Sequence, residues 1–423
     1  MTKIQDILIE SNPWWKTTFT PEYKERDIYQ HISKFFPLPQ IIALTGLRRV
    51  GKTTLLYKII QHHINKGFNK NNILYFSFDE FRETPIREVL NEYEQLMEKT
   101  LENASYLFLF DEIQKVENWE EQLKRLYDTH GKHIKIIISG SESLFLKKRS
   151  KETLAGRIFE FQITPLSFKE FLRFKDIADR PKQLYNKELF TQFKKYIKTQ
   201  GFPELVNVND KEIIKKYLKE SIVEKVIYRD IPRLFKIKNI SLLESLLTII
   251  MEEPGQLVEL TTLAQDLHIS RQTLSTYLRY LEESFLIRKL YNYSRSRRKV
   301  ERKLKKYYPA ILSVDLLFKE DTMSQSKVFE AILVNQLNAE YFWRDPYKNE
   351  VDIIRVNKII DPIEIKYGKI ETKSLLNFMK KFHVDRGYII SPNQKETIEI
   401  DNKHISVTPA YQFLLEEEDV GHS

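Results

Sequence analysis

The stretch Gly46-Leu47-Arg48-Arg49-Val50-Gly51-Lys52-Thr53 has residue types and spacing suited to phosphate chemistry. It follows the apolar run IIALTG (41–46) and leads into a helix-like segment. The pattern G-x-x-x-x-G-K-[ST] is a P-loop. Its glycines let the backbone wrap a phosphate without Cβ clashes, and the loop N–H groups and helix N-terminus supply positive potential. The spacing predicts that residues 46–53 with Thr54 cradle ATP or ADP, with Lys52 on the β- and γ-phosphates and Thr53 on Mg²⁺. Asp111-Glu112 closes the run YLFLFDE (106–112). Asp111 is expected to bind Mg²⁺ opposite Thr53, and Glu112 to polarise the attacking water. The alternative is a strand-end acid pair capping a helix. Ser139, at the end of IKIIISG, is a candidate γ-phosphate sensor or an ordinary turn residue. Arg157 opens RIFEFQITP and is a candidate arginine finger acting across a subunit boundary, or a surface ion-pair partner. The finger reading implies a homo-oligomer.

A second constellation lies near the C-terminus. Glu330 sits in the helix-like SKVFEAILVNQLNAEYF; Asp352 follows in a strand, and Glu364 and Lys366 in the next. Side chains alternate along a strand, so Glu364 and Lys366 share a face, and the preceding strand can bring Asp352 alongside. Asp352 and Glu364 are candidate ligands of a second Mg²⁺ or Mn²⁺. Lys366 would then position water or stabilise developing charge. The alternative is a charged hairpin face without metal.

Residues 260–283, LTTLAQDLHISRQTLSTYLRYLEE, fit two short packed helices joined by a tight turn, with Ser270 capping the second. The exposed face of that second helix would show Arg271, Gln272, Ser275, Thr276 and Arg279, suited to phosphates and base edges. His268 stands where such turns often carry Gly. A basic hairpin follows. Residues 294–306 hold Arg295, Arg297, Arg298, Lys299, Arg302, Lys303, Lys305 and Lys306 against one acid, Glu301. A recognition helix followed by a basic wing predicts DNA binding; the alternative is a protein-contacting helix pair with a solvated loop.

These residues must be positioned by more than one domain. The chain has 423 residues, of which 42% are hydrophobic and 30% charged, so it can build real cores. It has no cysteine, which excludes disulfides, thiolate zinc sites and Cys nucleophiles. No apolar run approaches a membrane span and no signal-peptide core opens the chain, so a cytoplasmic location without membrane contact is expected. Seven of the nine net positive charges fall in 294–306. Short apolar runs alternate with helical segments over 41–166, as in a parallel sheet between helices. The Trp14-Trp15 pair suggests an N-terminal arm packed on the next domain. Changes of element type divide the chain into an arm (1–38), a P-loop core (39–166), a helical region (167–238), a helix-rich region with the basic hairpin (239–316) and an α/β region (317–423).

GLRRVGKTTLL, YLFLFDEIQ, IIISGSES, LAGRIFEFQITPLSFKEF and TQGFPELV together resemble the prokaryotic and archaeal AAA-type ATPases related to the signal-transducing (STAND) class. The resemblance starts at about Gln40. It implies an α/β fold with an AAA-type parallel sheet, a helical lid over 167–238 and a winged helix over 239–316. In that class a lid Gly-x-Pro approaches the nucleotide, which maps to Gly201 and Pro203; the alternative is a Pro-marked helix break. Asp-x₁₁-Glu-x-Lys with Glu330 upstream resembles the PD-(D/E)XK nuclease fold, including resolvases of four-way junctions. That implies a restriction-endonuclease-like domain over 317–423, although Val351 replaces the usual proline before the aspartate. The expectation is a Mg²⁺-dependent ATPase acting on DNA, with branched DNA as the expected form. The competing expectation is a nucleotide-controlled switch that binds a protein partner and carries an inert nuclease-like scaffold.

Overall fold

The computed structural model describes residues 2–81, 84–102, 104–131, 133–140, 153–177, 185–235 and 237–417. Two compact units divide at Pro165/Leu166.

The first unit is a five-stranded parallel sheet: β1 (Ile41–Thr45), β2 (Ile73–Ser77), β3 (Tyr106–Asp111), β4 (Ile134–Gly140) and β5 (Ile158–Gln162), in the order β2-β3-β4-β1-β5. Strands β1 and β3 are buried along their whole length, which explains their unbroken apolar sequence. Among the described residues, helices α1 (Lys3–Ser11), α2 (Asp27–Ser33), α3 (Lys52–Asn65), α4 (Ile86–Met97) and α5 (Trp119–His130) accompany the sheet. β4 lies between β1 and β3, so the C-terminal ends of three adjacent strands carry the P-loop, Ser139 and Asp111.

The N-terminal arm closes the open edge of the sheet. The buried Asn12 amide donates to Tyr75 O at 2.9 Å, and its Oδ1 accepts from Tyr75 N at 2.7 Å. Trp14 and Trp15 both donate their indole N–H to Ile73 O. These side chains satisfy backbone groups of β2 that an unprotected edge would expose. Asn12→Ala leaves both Tyr75 groups without these partners. It is expected to lower stability by about 2 kcal/mol, read from the urea midpoint at unchanged slope.

The second unit begins with α6 (Phe168–Phe174) and α7 (Asn186–Thr199). A helical run over 211–234 follows, with π-type winding over Tyr217–Val223 and Val226–Asp230. Next come α8 (Ile240–Glu252), β6 (Gln256–Val258), α9 (Leu260–Asp266), α10 (Arg271–Glu283), β7 (Ile287–Asn292), the short α11 (Arg297–Arg302) and β8 (Lys305–Pro309). After the Val314–Leu317 turn of helix, the chain forms α12 (Thr322–Gln336), β9 (Tyr341–Arg344), β10 (Glu350–Val351), β11 (Ile353–Val356), β12 (Ile360–Ile365), α13 (Lys373–Phe382), β13 (Arg386–Ser391), β14 (Glu396–Ile400), β15 (Lys403–Pro409) and α14 (Ala410–Glu417).

These strands make two sheets, β10-β9-β7-β8-β6 and β11-β12-β13-β15-β14. Parallel pairing of β7 with β9 at Tyr291↔Tyr341 and Asn292↔Phe342 spans the expected division at 316/317. One core, including Trp343, Val351, Phe378 and Ile389, packs against both sheets. Gly201 adopts a left-handed φ of 73°, and its carbonyl accepts from Leu166 N at 2.7 Å. A Cβ there would stand 2.5 Å from Leu166 O, so glycine is required.

Candidate functional site

The P-loop joins β1 to α3. Gly46 has φ 140°, and a Cβ there would lie 2.1 Å from Ile163 O. Arg49 and Gly51 also have positive φ. Lys52 is buried, and its ammonium donates to Gly46 O at 3.0 Å and Leu47 O at 2.8 Å, so the lysine closes its own loop. Thr54 is exposed in the first turn of α3. Arg26 was not apparent as a loop residue in the sequence. It is buried and donates to Val50 O and Thr164 O, both at 2.9 Å, and so braces the loop from the arm.

Asp111 collects donors. Its Oδ2 accepts from Thr53 Oγ1 at 2.7 Å and Tyr75 OH at 3.1 Å, and its Oδ1 accepts from Ser139 Oγ and from Glu112 N at 3.1 Å. Burial, reinforced by Asp111, raises the Tyr75 phenol, which stays a donor. Glu112 has φ 55°; its Oε2 accepts from Gln114 Nε2 at 2.7 Å, with Lys115 Nζ 3.7 Å away. Thus Lys52, Thr53, Asp111, Glu112 and Ser139 come together. The hydroxyl of Thr53 and carboxylate of Asp111 form an oxygen pair of the kind that holds Mg²⁺ beside phosphates.

Arg157 does not join them. It sits at the N-terminal edge of the sheet, where its carbonyl accepts from Ile41 N, while the P-loop is at the C-terminal edge. Its guanidinium pairs with Asp128 of α5, Nε to Oδ1 at 2.8 Å. Pro203 begins a 3-10 turn in the second unit, beside Gly201. Ser141, two residues after Ser139, lies outside the described residues.

In the second unit α9 and α10 are joined by a turn in which His268 takes φ 54°, the conformation that explains the frequent glycine. Ser270 caps α10 by accepting from Thr273 N at 3.0 Å. Arg271, Gln272, Ser275 and Arg279 are exposed on α10, Arg279 being 3.9 Å from Glu283; Thr276 is half-buried. Around α11, Arg297, Arg298 and Lys299 are exposed. The other basic residues are partly engaged in the fold. Arg295 donates to Phe382 O and Lys303 to Asn292 Oδ1. The side chain of Arg302 lies outside the described residues.

Lys306 turns fully inward and is 4% exposed. Its ammonium is 2.5 Å from Glu350 Oε1, 3.8 Å from Glu330 Oε1 and 4.0 Å from Asp352 Oδ1. Burial would discharge it, but Glu330, Asp352 and Glu350 outweigh that and hold it charged. The structure therefore brings Glu330, Asp352, Glu364 and Lys366 into one cluster, with Lys306 and Glu350 added. Asp352 Oδ2 accepts from Ile365 N at 2.8 Å, Glu364 pairs with Lys366 at 2.7 Å, Tyr308 OH donates to Glu330 at 2.6 Å and Arg344 pairs with Glu350 at 2.7 Å. Burial pushes Asp352 well above the ordinary carboxylate range, aided by Glu364 and Glu330; burial also pushes Glu364 up to about 7. With an ammonium among three carboxylates, this donor set does not fit a divalent ion. Among the described residues no group of three or more His, Asp or Glu is placed to hold a metal.

A family model described as an AAA domain matches residues 38–172. Two more, described only as domains of unknown function (DUF8612 and DUF4143), match 190–310 and 322–413. Two uncharacterized proteins of Methanocaldococcus jannaschii are similar. One is 29% identical over 404 residues, covering 89% of this chain and 88% of that protein. The other is 28% identical over 394 residues, covering 84% and 81%. An uncharacterized protein of Haemophilus influenzae is 30% identical over 271 residues, covering 62% and 65%. A crystal structure of Cdc6p from Pyrobaculum aerophilum aligns at 13% identity and TM-score 0.31, covering 74% of this chain and 97% of that one. No helix among the described residues is long and apolar enough to cross a membrane. The parallel sheet, the P-loop and the family match together make residues 38–172 an AAA-type P-loop domain.

Proposed function

We propose that this chain is a Mg²⁺-dependent ATPase that binds DNA. The observation that carries the reading is the convergence of Lys52, Thr53, Asp111, Glu112 and Ser139 at the ends of three adjacent strands. Lys52 holds the loop and, with the loop N–H groups and the α3 N-terminus, binds the β- and γ-phosphates. Thr53 and Asp111 would hold Mg²⁺, which supplies charge neutralisation on the phosphates. Glu112 is the group that polarises water, once released from Gln114, and Ser139 reports on the γ-phosphate. Arg157, remote from its own chain's loop, acts on a neighbouring subunit's nucleotide, which makes the working form a homo-oligomer.

The order α8-β6-α9-α10-β7-β8 supports a winged helix. Arg271, Gln272 and Arg279 offer a recognition face, and Arg297, Arg298 and Lys299 a wing. Arg302 belongs to the same wing in this reading, and Arg295 and Lys303 are weaker DNA contacts because they are already engaged in the fold. Branched DNA is the substrate that the nuclease resemblance suggests. One observation favours part of a second reading, that the 317–423 region is a scaffold: Lys306 fills the centre of the carboxylate cluster. Cleavage by Asp352, Glu364 and Lys366 then requires that lysine to leave.

Fluorescence anisotropy with a labelled four-way junction and a duplex tests the DNA reading. Replacing Arg297, Arg298 and Lys299 by Ala is expected to reduce the slope of log affinity against log salt by about two to three, at roughly one unit per phosphate contact. An unchanged slope sinks the wing assignment.

A further inference from the structure

In the second unit, α7 and α12 border a cavity of about 480 Å³, within the range of about 300–1,000 Å³ typical of small-ligand sites. Its floor is apolar. Phe193 and Phe329 are buried there and meet edge to face with centroids 6.4 Å apart. Phe190, Phe318 and Tyr367 also line it and stay partly exposed. These rings form walls rather than core.

The rim is basic. Lys194, Lys198, Lys211 and Lys319 line the cavity and are exposed, against a single acid, Glu320. Among the described residues none of the four makes an ion pair, whereas nearby Lys215 is paired with Glu212. Two lie instead against the walls: the Lys194 ammonium is 4.4 Å from the Phe190 ring centroid and that of Lys211 is 5.0 Å from Phe318. Aromatic walls with flexible cations resting on them suit a planar group carrying negative charge, which draws the ammonium groups to itself and takes their place on the rings. The volume suits one such unit rather than the long apolar face of a docking helix.

We propose that this cavity binds a nucleoside phosphate, its base against Phe190, Phe318 and Tyr367 and its phosphate among the four lysines. The same chemistry can be presented by a free nucleotide or by one unit of a single-stranded nucleic acid. None of its lining residues belongs to the P-loop or to the basic hairpin.

The test uses the full chain carrying Lys52→Ala, which suppresses the P-loop contribution. Fluorescein-labelled dT12 is followed by anisotropy and ADP by calorimetry. Lys194→Glu with Lys211→Glu is expected to weaken binding at least tenfold, and Phe318→Ala about tenfold, with unchanged circular dichroism. Loss confined to dT12 identifies a single-strand site, and loss confined to ADP a free-nucleotide site; either supports the proposal. If neither probe responds to these changes, the proposal fails. Competition by inorganic phosphate as effective as that of ADP would also overturn it, since no base contact would then be needed. So would a loss of dT12 binding caused only by the Arg297, Arg298 and Lys299 changes.

Discussion

Lys52→Ala is expected to cut Mg²⁺-dependent ATP turnover by at least about a hundredfold, the scale of losing one preorganised charge stabiliser of a transition state. Lys52 has two tasks in this geometry. Its ammonium closes the loop by donating to Gly46 O and Leu47 O, and in the proposed function it binds the β- and γ-phosphates. Alanine removes both, so nucleotide affinity should fall together with turnover. Glu112→Gln separates the steps. The substitution keeps the shape that Gln114 contacts but removes the base, so nucleotide should still bind while hydrolysis stops. Phosphate release at saturating MgATP, with nucleotide binding measured in parallel, checks both. Wild-type turnover in Lys52→Ala would show that the P-loop is not the site.

This part of the molecule was legible because its geometry is local. A P-loop needs glycine where φ is positive or a Cβ would strike the neighbouring chain, and Gly46 meets both conditions. The Ser270 cap and the buried stripe of α10 were readable for the same reason, since spacing along a helix fixes which side chains share a face. The remainder depended on contacts between distant segments. Nothing in Asn12 or Arg26 marks them as an edge cap and a loop brace, because their partners lie 63 and 24 residues away. The basic stretch 294–306 read as one exposed wing. Strand alternation in β8, however, points Lys306 and Tyr308 into the acidic cluster, and which face of β8 is inward follows only from its pairing with β7 and β6. The pairing of β7 with β9 was invisible for the same reason. It ties the basic hairpin to the C-terminal strands and so places a wing residue in the cluster.

Lys306→Met is expected to destabilise the second unit by about 3–5 kcal/mol, the usual cost of removing one member of a buried ion cluster. The variant leaves Glu330, Glu350 and Asp352 without their shared cation, in a site where burial already disfavours ionised carboxyls. The loss should depend on pH. An acid whose folded pKa is raised contributes stability below its unfolded pKa that disappears as pH rises through the folded value. Glu364, raised from 4.5 to about 7, behaves so in the native chain, and removing Lys306 extends that behaviour to its acidic neighbours. Thermal midpoints should therefore fall further at pH 8 than at pH 5. Adding Asp352→Asn should recover at least about half of the loss, because the amide oxygen can still accept from Ile365 N while a buried acid that resists ionisation is gone. A single variant within about 1 kcal/mol of wild type at both pH values would show that the lysine does not hold the cluster. The same protein tests cleavage. A rise in the Lys306→Met midpoint with millimolar Mn²⁺, absent from wild type, would mean that the carboxylates accept a divalent ion once the ammonium has left. Strand β8 would then control access to a cleaving site, and nicking of four-way DNA should appear in the variant and vanish when Asp352→Ala is added.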